Sequence, residues 1–220
     1  MIKLYALSLS SYCTKVRIVL RIKGVAFEEV APPGGHYSSA EYQAYLPPGS
    51  IPAIEQDSFK LYDSEAIVEY LEDISDTPCM RAPDLRERAR QRALAQFHNS
   101  ALEPTVRASF PLARMQAGDI DLVDLDNAYS KFTSSLDKLD GLIQANPFIG
   151  GKEPCLADCG FPATIRMGQD IFAHLGKNTD FSGNIKPWLK ALEDHSIIGD
   201  EVEKNRTAIC SWLESLSNEK

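Results

Sequence analysis

Ser10-Ser11-Tyr12-Cys13 has the spacing of a redox Cys-x-x-Cys loop, with a hydroxyl where the attacking sulfur belongs. It lies between an apolar segment read as a strand, Ile2 to Leu9, and a basic amphipathic segment read as a helix, Thr14 to Lys23. The first position of such a loop sits at a helix N-terminus, where unpaired backbone N–H groups and the helix dipole favour negative charge. A thiolate held there is stabilised. A free thiol has a pKa of about 8.5, each unit of depression is worth roughly 1.4 kcal/mol, and one charge-assisted hydrogen bond from a serine supplies about one or two units. With no cysteine at the attacking position, the implied chemistry is attack by the activated sulfur of a small-molecule cosubstrate. Taken alone, Ser10 and Ser11 are more simply helix caps.

Two further motifs have a ligand-facing and a plain reading. Ser50-Ile51-Pro52-Ala53-Ile54 places a proline at the mouth of an apolar strand. A cis Ile51-Pro52 bond would free the backbone of Ile51 to pair with an extended, peptide-like ligand, whereas a trans proline would merely open an edge strand. Asp63-Ser64 opens the helix that contains Ile67, Tyr70, Leu71 and Ile74 at i, i+3, i+4 and i+7. Its first N–H groups offer a seat for a carboxylate, and its plain reading is again a cap.

The elements that must position these residues change character along the chain. Strand (Ile2 to Leu9), helix (Thr14 to Lys23) and strand (Phe27 to Val30) are followed by a hairpin, Ala53 to Glu55 and Phe59 to Tyr62, turning at Gln56-Asp57-Ser58. With the next helix this is a small α/β unit. From Ser75 to Pro83 the composition shifts to Ser, Asp, Thr, Pro and Cys, and beyond it the periodicity is helical: Leu85 towards Pro104, Leu122 to Leu139, Leu156 to Phe172 and Pro187 to Asp194. The expected division is residues 1–75 as the α/β domain, 76–84 as linker and 85–220 as an all-α domain.

The 220 residues, 44% hydrophobic and 25% charged, suit a soluble globular protein. A formal charge of −8 argues against a nucleic-acid partner. The basic groups Lys15, Arg17, Arg21, Lys23 and Arg86, Arg88, Arg90, Arg92 read as solvated helix faces. Five scattered cysteines form no disulfide framework, and Cys155-x-x-x-Cys159 lacks the companion pair of a zinc site, so no metal is expected. The apolar start is too short for a signal peptide, and no segment reaches the roughly 20 apolar residues of a membrane span. A cytoplasmic location is expected.

In order and spacing, the Ser10 loop, Ile51-Pro52, the acidic-Ser pair Asp63-Ser64 before Ala66-Ile67, Leu156-Ala157-Asp158 and Pro187-Trp188-Leu189 resemble the cytosolic glutathione S-transferase family. The resemblance covers nearly the whole chain. It implies an α/β thioredoxin-like N-terminal domain joined to an all-α C-terminal helical domain, glutathione as cosubstrate, and a homodimer. By it, Ser10, with Ser11 as competitor, stabilises the glutathione thiolate. Ile51, beside a cis Pro52, pairs with the cysteinyl part, and Asp63 and Ser64 hold the γ-glutamyl end. The helical domain supplies the pocket for a small hydrophobic electrophile, with Phe97, His98, Ala101, Arg107 and Phe110 as its lining. Cys13 is expected to be packed, and Asp158 to act as a reciprocal first-turn acceptor.

The sequence also departs from the family pattern. Leu46-Pro47-Pro48-Gly49-Ser50 stands where an Asn-Pro and a Lys or Gln are common, so His36 or a basic residue elsewhere is the candidate partner of the glycyl carboxylate. Asp63 replaces the commoner Glu, and Cys155 the usual Ser or Thr cap. Tyr12 occupies the position that is cysteine in the isomerase-like class, which disfavours isomerisation. The alternatives are a non-catalytic ligand-binding or scaffold protein and a glutathione-dependent isomerase or dehalogenase.

Overall fold

The computed structural model of the chain describes residues 1–75 and 77–218; Asp76, in the expected linker, and residues 219–220, at the end of the expected helical domain, lie outside the described residues. The first elements are β1 (Ile2–Tyr5), α1 (Ser11–Ile22), β2 (Phe27–Val30), α2 (Ala40–Tyr45), β3 (Ala53–Gln56), β4 (Phe59–Tyr62) and α3 (Ser64–Ile74). They form a mixed sheet of order β2-β1-β3-β4, with β1 and β2 parallel and the other pairs antiparallel. The parallel pair needs a crossover, which α1 provides. The pair Gln56 and Phe59 closes the hairpin on a two-residue turn, Asp57-Ser58, with Asp57 at φ 57°, as such a turn requires.

The following elements are helical: α4 (Leu85–Phe97), α5 (Glu103–Arg107), α6 (Phe110–Arg114), α7 (Leu122–Leu142), α8 (Phe161–His174), α9 (Ile185–Asp194) and α10 (Ser196–Asn218). A π-helical turn, His98–Leu102, joins α4 to α5. Pro104 therefore falls in the first turn of α5, where its missing N–H costs nothing, and the chain stays helical past it. No helix among the described residues is long and apolar enough to cross a membrane.

Three expectations need correction. β1 ends at Tyr5, because the Ser10 amide donates to the Leu7 carbonyl (3.2 Å) and turns the chain early into α1. The short helix α2 went unread among its Gly, Pro and Ser neighbours; Ser39 caps it by accepting from Tyr42 N at 3.0 Å. The basic face of α1 is not solvated. α1 lies between the sheet and the helical half, against α3, α8 and α10, so its cations meet carboxylates instead of water. Arg17 forms a fork with Glu29 (2.7 and 2.8 Å), Lys23 lies fully buried on Glu72 (2.6 Å), Lys15 reaches Glu65 (2.9 Å), and Arg21 reaches Asp200 and Glu201.

One apolar core runs through both halves. Ile2, Leu4, Val16, Leu20, Ile67 and Leu71 are continuous with Phe132, Phe161, Phe172, Trp188 and Ile209. At Gly168 of α8 a Cβ would lie 2.6 Å from the Phe132 ring, so only glycine admits this approach to α7. The serine loop is mounted on a helix, α1, that is buried along most of its length.

Candidate active site

Ser10 is the N-cap of α1: its Oγ accepts from Cys13 N at 3.3 Å, and its carbonyl accepts from Thr14 N at 3.0 Å. Accepting that amide leaves the Ser10 hydroxyl its own hydrogen to donate, with the buried Cys13 thiol also within its reach. Ser10 keeps 9% of its surface, whereas Ser11 is fully buried and its Oγ has no hydrogen-bond partner among the described residues. The two serines that compete in the sequence are thus inequivalent. Cys13 is enclosed, as expected, and burial pushes its thiol pKa up, away from the thiolate a nucleophile needs.

Ile51-Pro52 is cis, and the ladder with β1 begins only at Ala53. The wholly buried Tyr42 donates its hydroxyl to the Ser50 carbonyl (3.0 Å), so α2 anchors this loop, and burial raises the Tyr42 pKa to about 12. His36 is exposed. Its Nδ1 accepts from Ser38 N at 3.1 Å, and its ring lies 4.3 Å from that of Tyr37, which packs in one apolar cluster with Ile51.

Asp63 caps α3, its Oδ1 accepting from Glu65 N (2.9 Å) and Ala66 N (3.1 Å). Its φ of 71° is a left-handed conformation uncommon for a residue with a side chain, and strain of this kind concentrates at ligand clamps. Ser64 follows as the buried first residue of the helix. A triangle locks the N-termini of α1 and α3 to the π-turn: Lys15 Nζ donates to Glu65 (2.9 Å) and to Asn99 Oδ1 (3.3 Å), and Asn99 Nδ2 donates to Glu65 (3.1 Å). Three segments far apart in sequence are held at fixed separation by one buried ammonium.

The residues expected to line an electrophile pocket are split. His98 is 1% exposed, with Nε2 on Thr164 Oγ1 (2.8 Å) and Nδ1 on Asn99 Oδ1 (2.9 Å), and has no surface to offer a ligand. Phe97 faces a separate cavity of about 400 Å³ with Leu94, Leu142 and Ile149, and the Ala101 carbonyl is engaged by Ser135 Oγ at 3.3 Å. His98 is thus enclosed in the core and Phe97 faces another cavity, so neither joins Arg107 and Phe110. Arg107 and Phe110 do come together, the guanidinium 5.0 Å from the ring centroid.

Tyr12, half-buried, donates to the Asn99 carbonyl at 3.4 Å and packs edge-on against His98. Burial, followed by the nearby Glu103 carboxylate, raises its pKa, so the phenol keeps its proton. Asn99 and Glu103 carry no local signal in the sequence, and only its adjacency to the serines singles out Tyr12. Among the described residues no group of three or more His, Cys, Asp or Glu side chains is placed to hold a metal ion.

Burial drives the His98 pKa down to about 3. The unfolded ring titrates near 6.5, so between those values the unfolded state binds the extra proton, and stability falls as pH falls from about 6.5 towards 3. The contribution is at most about 1.4 kcal/mol per pH unit. Urea unfolding between pH 6 and 4.5 is expected to show a shallower loss in H98Q than in the wild type; equal slopes would refute the assignment.

This fold and loop define a thioredoxin-like, thiol-handling protein with an all-helical second half. Residues 4–78 match the family model described as "Glutathione S-transferase, N-terminal domain". Maleylacetoacetate isomerase of Rattus norvegicus is 30% identical over 86% of this chain and 88% of its own, and maleylpyruvate isomerase of a Ralstonia species is 30% identical over 71% and 77%. Among solved structures, a delta-class glutathione transferase of Nilaparvata lugens superposes with TM-score 0.80 at 21% identity, covering 98% of this chain and all of that one. Maleylacetoacetate isomerase of Anaeromyxobacter dehalogenans with bound glutathione superposes with TM-score 0.73 at 26% identity, covering 94% and 96%. The chain belongs to the glutathione S-transferase family.

Proposed function

We propose that this enzyme ionises the thiol of glutathione beside Ser10 and directs the sulfur at a small hydrophobic electrophile. The observation that carries this reading is the partly accessible Ser10 hydroxyl capping the N-terminus of the buried helix α1. In a substitution the C–S bond forms as the bond to the leaving group breaks. The leaving group takes the electron pair, and the thiol proton has already passed to solvent. Catalysis comes from proximity and from thiolate stabilisation. Ile51 would pair through its free backbone with the cysteinyl unit, Asp63 and Ser64 would hold the γ-glutamyl end, and His36 would meet the glycyl carboxylate. Phe59 and Tyr62 of β4, about half exposed, and Leu85 of α4, 74% exposed, support a homodimer in which the N-terminal half of one copy meets the helical half of the other.

Three of the four named proteins are isomerases, which favours glutathione-dependent isomerisation as the second reading. Tyr12 at the position of that class's cysteine speaks against it.

Retention on immobilised glutathione, elution by the free tripeptide and conjugation of an aryl chloride test the first reading together. Asp63→Ala is expected to weaken glutathione binding about tenfold in calorimetry, since it removes a charge and a cap at once. Failure of the unaltered protein to bind glutathione would leave a scaffold role, and isomerisation without conjugation would leave the second reading.

A further inference from the structure

Beyond Tyr12, cations are laid over aromatic rings. Arg107 covers Phe110, and Phe110 stacks on Trp212 with centroids 5.0 Å apart and planes 26° from parallel. Arg114 lies over both rings, 5.9 Å from Phe110 and 5.4 Å from Trp212. This wall adjoins the serine loop from two directions. Tyr12, two residues after Ser10, feels the charges of Glu103, Arg107 and Asp63. Helix α10 runs along α1, its Asn205 donating to the Ser8 carbonyl at 2.7 Å, and Trp212 follows two helical turns later on the same face.

The two guanidinium groups are not equivalent. Arg107 is spoken for by the buried Glu103 carboxylate, so that pair is close to neutral. Arg114 is exposed, rests on the aromatic pair and has no carboxylate partner among the described residues. A neutral electrophile has no use for such a group. In a chain of net charge −8, an anionic substrate needs a local cation to be held near the sulfur. The planar fork of arginine matches a carboxylate with two parallel hydrogen bonds, and the exposed Arg114 has no carboxylate on its fork among the described residues.

We propose that Arg114 is the carboxylate anchor of the electrophile site, and that the preferred electrophile is a flat, unsaturated or aromatic acid lying along the half-buried Trp212 and Tyr12 rings. This rests on the Ser10 reading and adds to it the class of the second substrate.

4-Chloro-3-nitrobenzoate and 4-chloro-3-nitrobenzamide share the reacting carbon and leaving chloride and differ in charge. With each kcat/KM divided by its uncatalysed rate constant, the wild type is expected to favour the benzoate about tenfold. Arg114→Gln should cut that preference to about twofold or less without moving the KM for glutathione, and Arg114→Lys should keep part of it. No charge preference in the wild type, or equal losses on both substrates in R114Q, would overturn the anchor. Quenching of Trp212 fluorescence by the benzoate without glutathione, identified as the signal lost in Trp212→Phe, reads the anchor independently of the sulfur. Quenching that R114Q abolishes, with neither aryl chloride conjugated, keeps the anchor and sinks the Ser10 reading. Conjugation without charge preference does the reverse.

Discussion

Ser10→Ala is expected to lower kcat for conjugation of an aryl chloride by about 10- to 100-fold at pH 6.5, with glutathione affinity within about threefold of the wild type. The hydroxyl accepts one amide of its own helix and has its hydrogen to spare, so its loss removes one charge-assisted bond to the sulfur and little else. Such a bond contributes about 1.5–3 kcal/mol, or one to two pKa units on the thiol. The sign follows from ionisation. The wild type holds the thiolate near pH 7 and the variant only nearer pH 8.5, so the acid limb of the kcat profile moves up by one to two units and the two rates converge above about pH 9. Ultraviolet titration of the bound thiolate should give the same displacement. Loss of the cap also costs about 1 kcal/mol of stability, which the enclosed helix can bear. Ser11→Ala is the control. Its Oγ is buried without a partner, so removing it should leave stability and kcat nearly unchanged. If S11A loses the activity and S10A keeps it, the roles assigned to the two serines are reversed.

Asp158→Ala is expected to produce the largest loss of stability, about 4 kcal/mol or more in urea unfolding at pH 7. The fully buried carboxylate accepts from Cys155 N at 2.9 Å, Ile149 N at 3.0 Å, Gly150 N at 3.2 Å and Trp188 Nε1 at 2.8 Å. Truncation strands the buried Cys155 N and Trp188 Nε1 donors in the core and releases the part-buried loop amides of Ile149 and Gly150, and each unsatisfied buried donor costs about 1–3 kcal/mol. Asp158→Asn keeps the shape but turns an N–H towards one set of donors, so it should fall between the wild type and alanine. A loss below about 1 kcal/mol in D158A would show that the loop and indole find other acceptors. The sequence marks Asp158 as an acceptor for its own first turn, which it is through Cys155 N. Its bonds to a loop several residues earlier and to an indole thirty residues later appear only in the fold.

What could be read from the chain alone was whatever local pattern or local chemistry specifies. The apolar spacing of Ile67, Tyr70, Leu71 and Ile74 marks α3, Phe27 to Val30 marks β2 to the residue, and a small α/β half followed by a helical half emerges from the change of period near Ser75. Ser10 as a helix cap was legible for the same reason, since a cap depends on residues within a few positions of itself; the residues around Ile51-Pro52 left cis and trans both open, and only the family resemblance implied the cis bond that the fold has. Long-range burial was not legible. The same periodicity that makes α1 a helix gives it an apparently solvated basic face, and only docking against α3, α8, α10 and β2 turns Lys15, Arg17 and Lys23 into buried partners of Glu65, Glu29 and Glu72. Equally illegible were the π-turn after Phe97, the burial of His98 on Thr164, and the stacking of Phe110 on Trp212 of a helix that carried no clear period of its own. Hydrophobic patterning encodes which residues face inward on each element. Which charged and aromatic side chains then meet is decided by how the elements close on one another, and in this protein that closure builds the site.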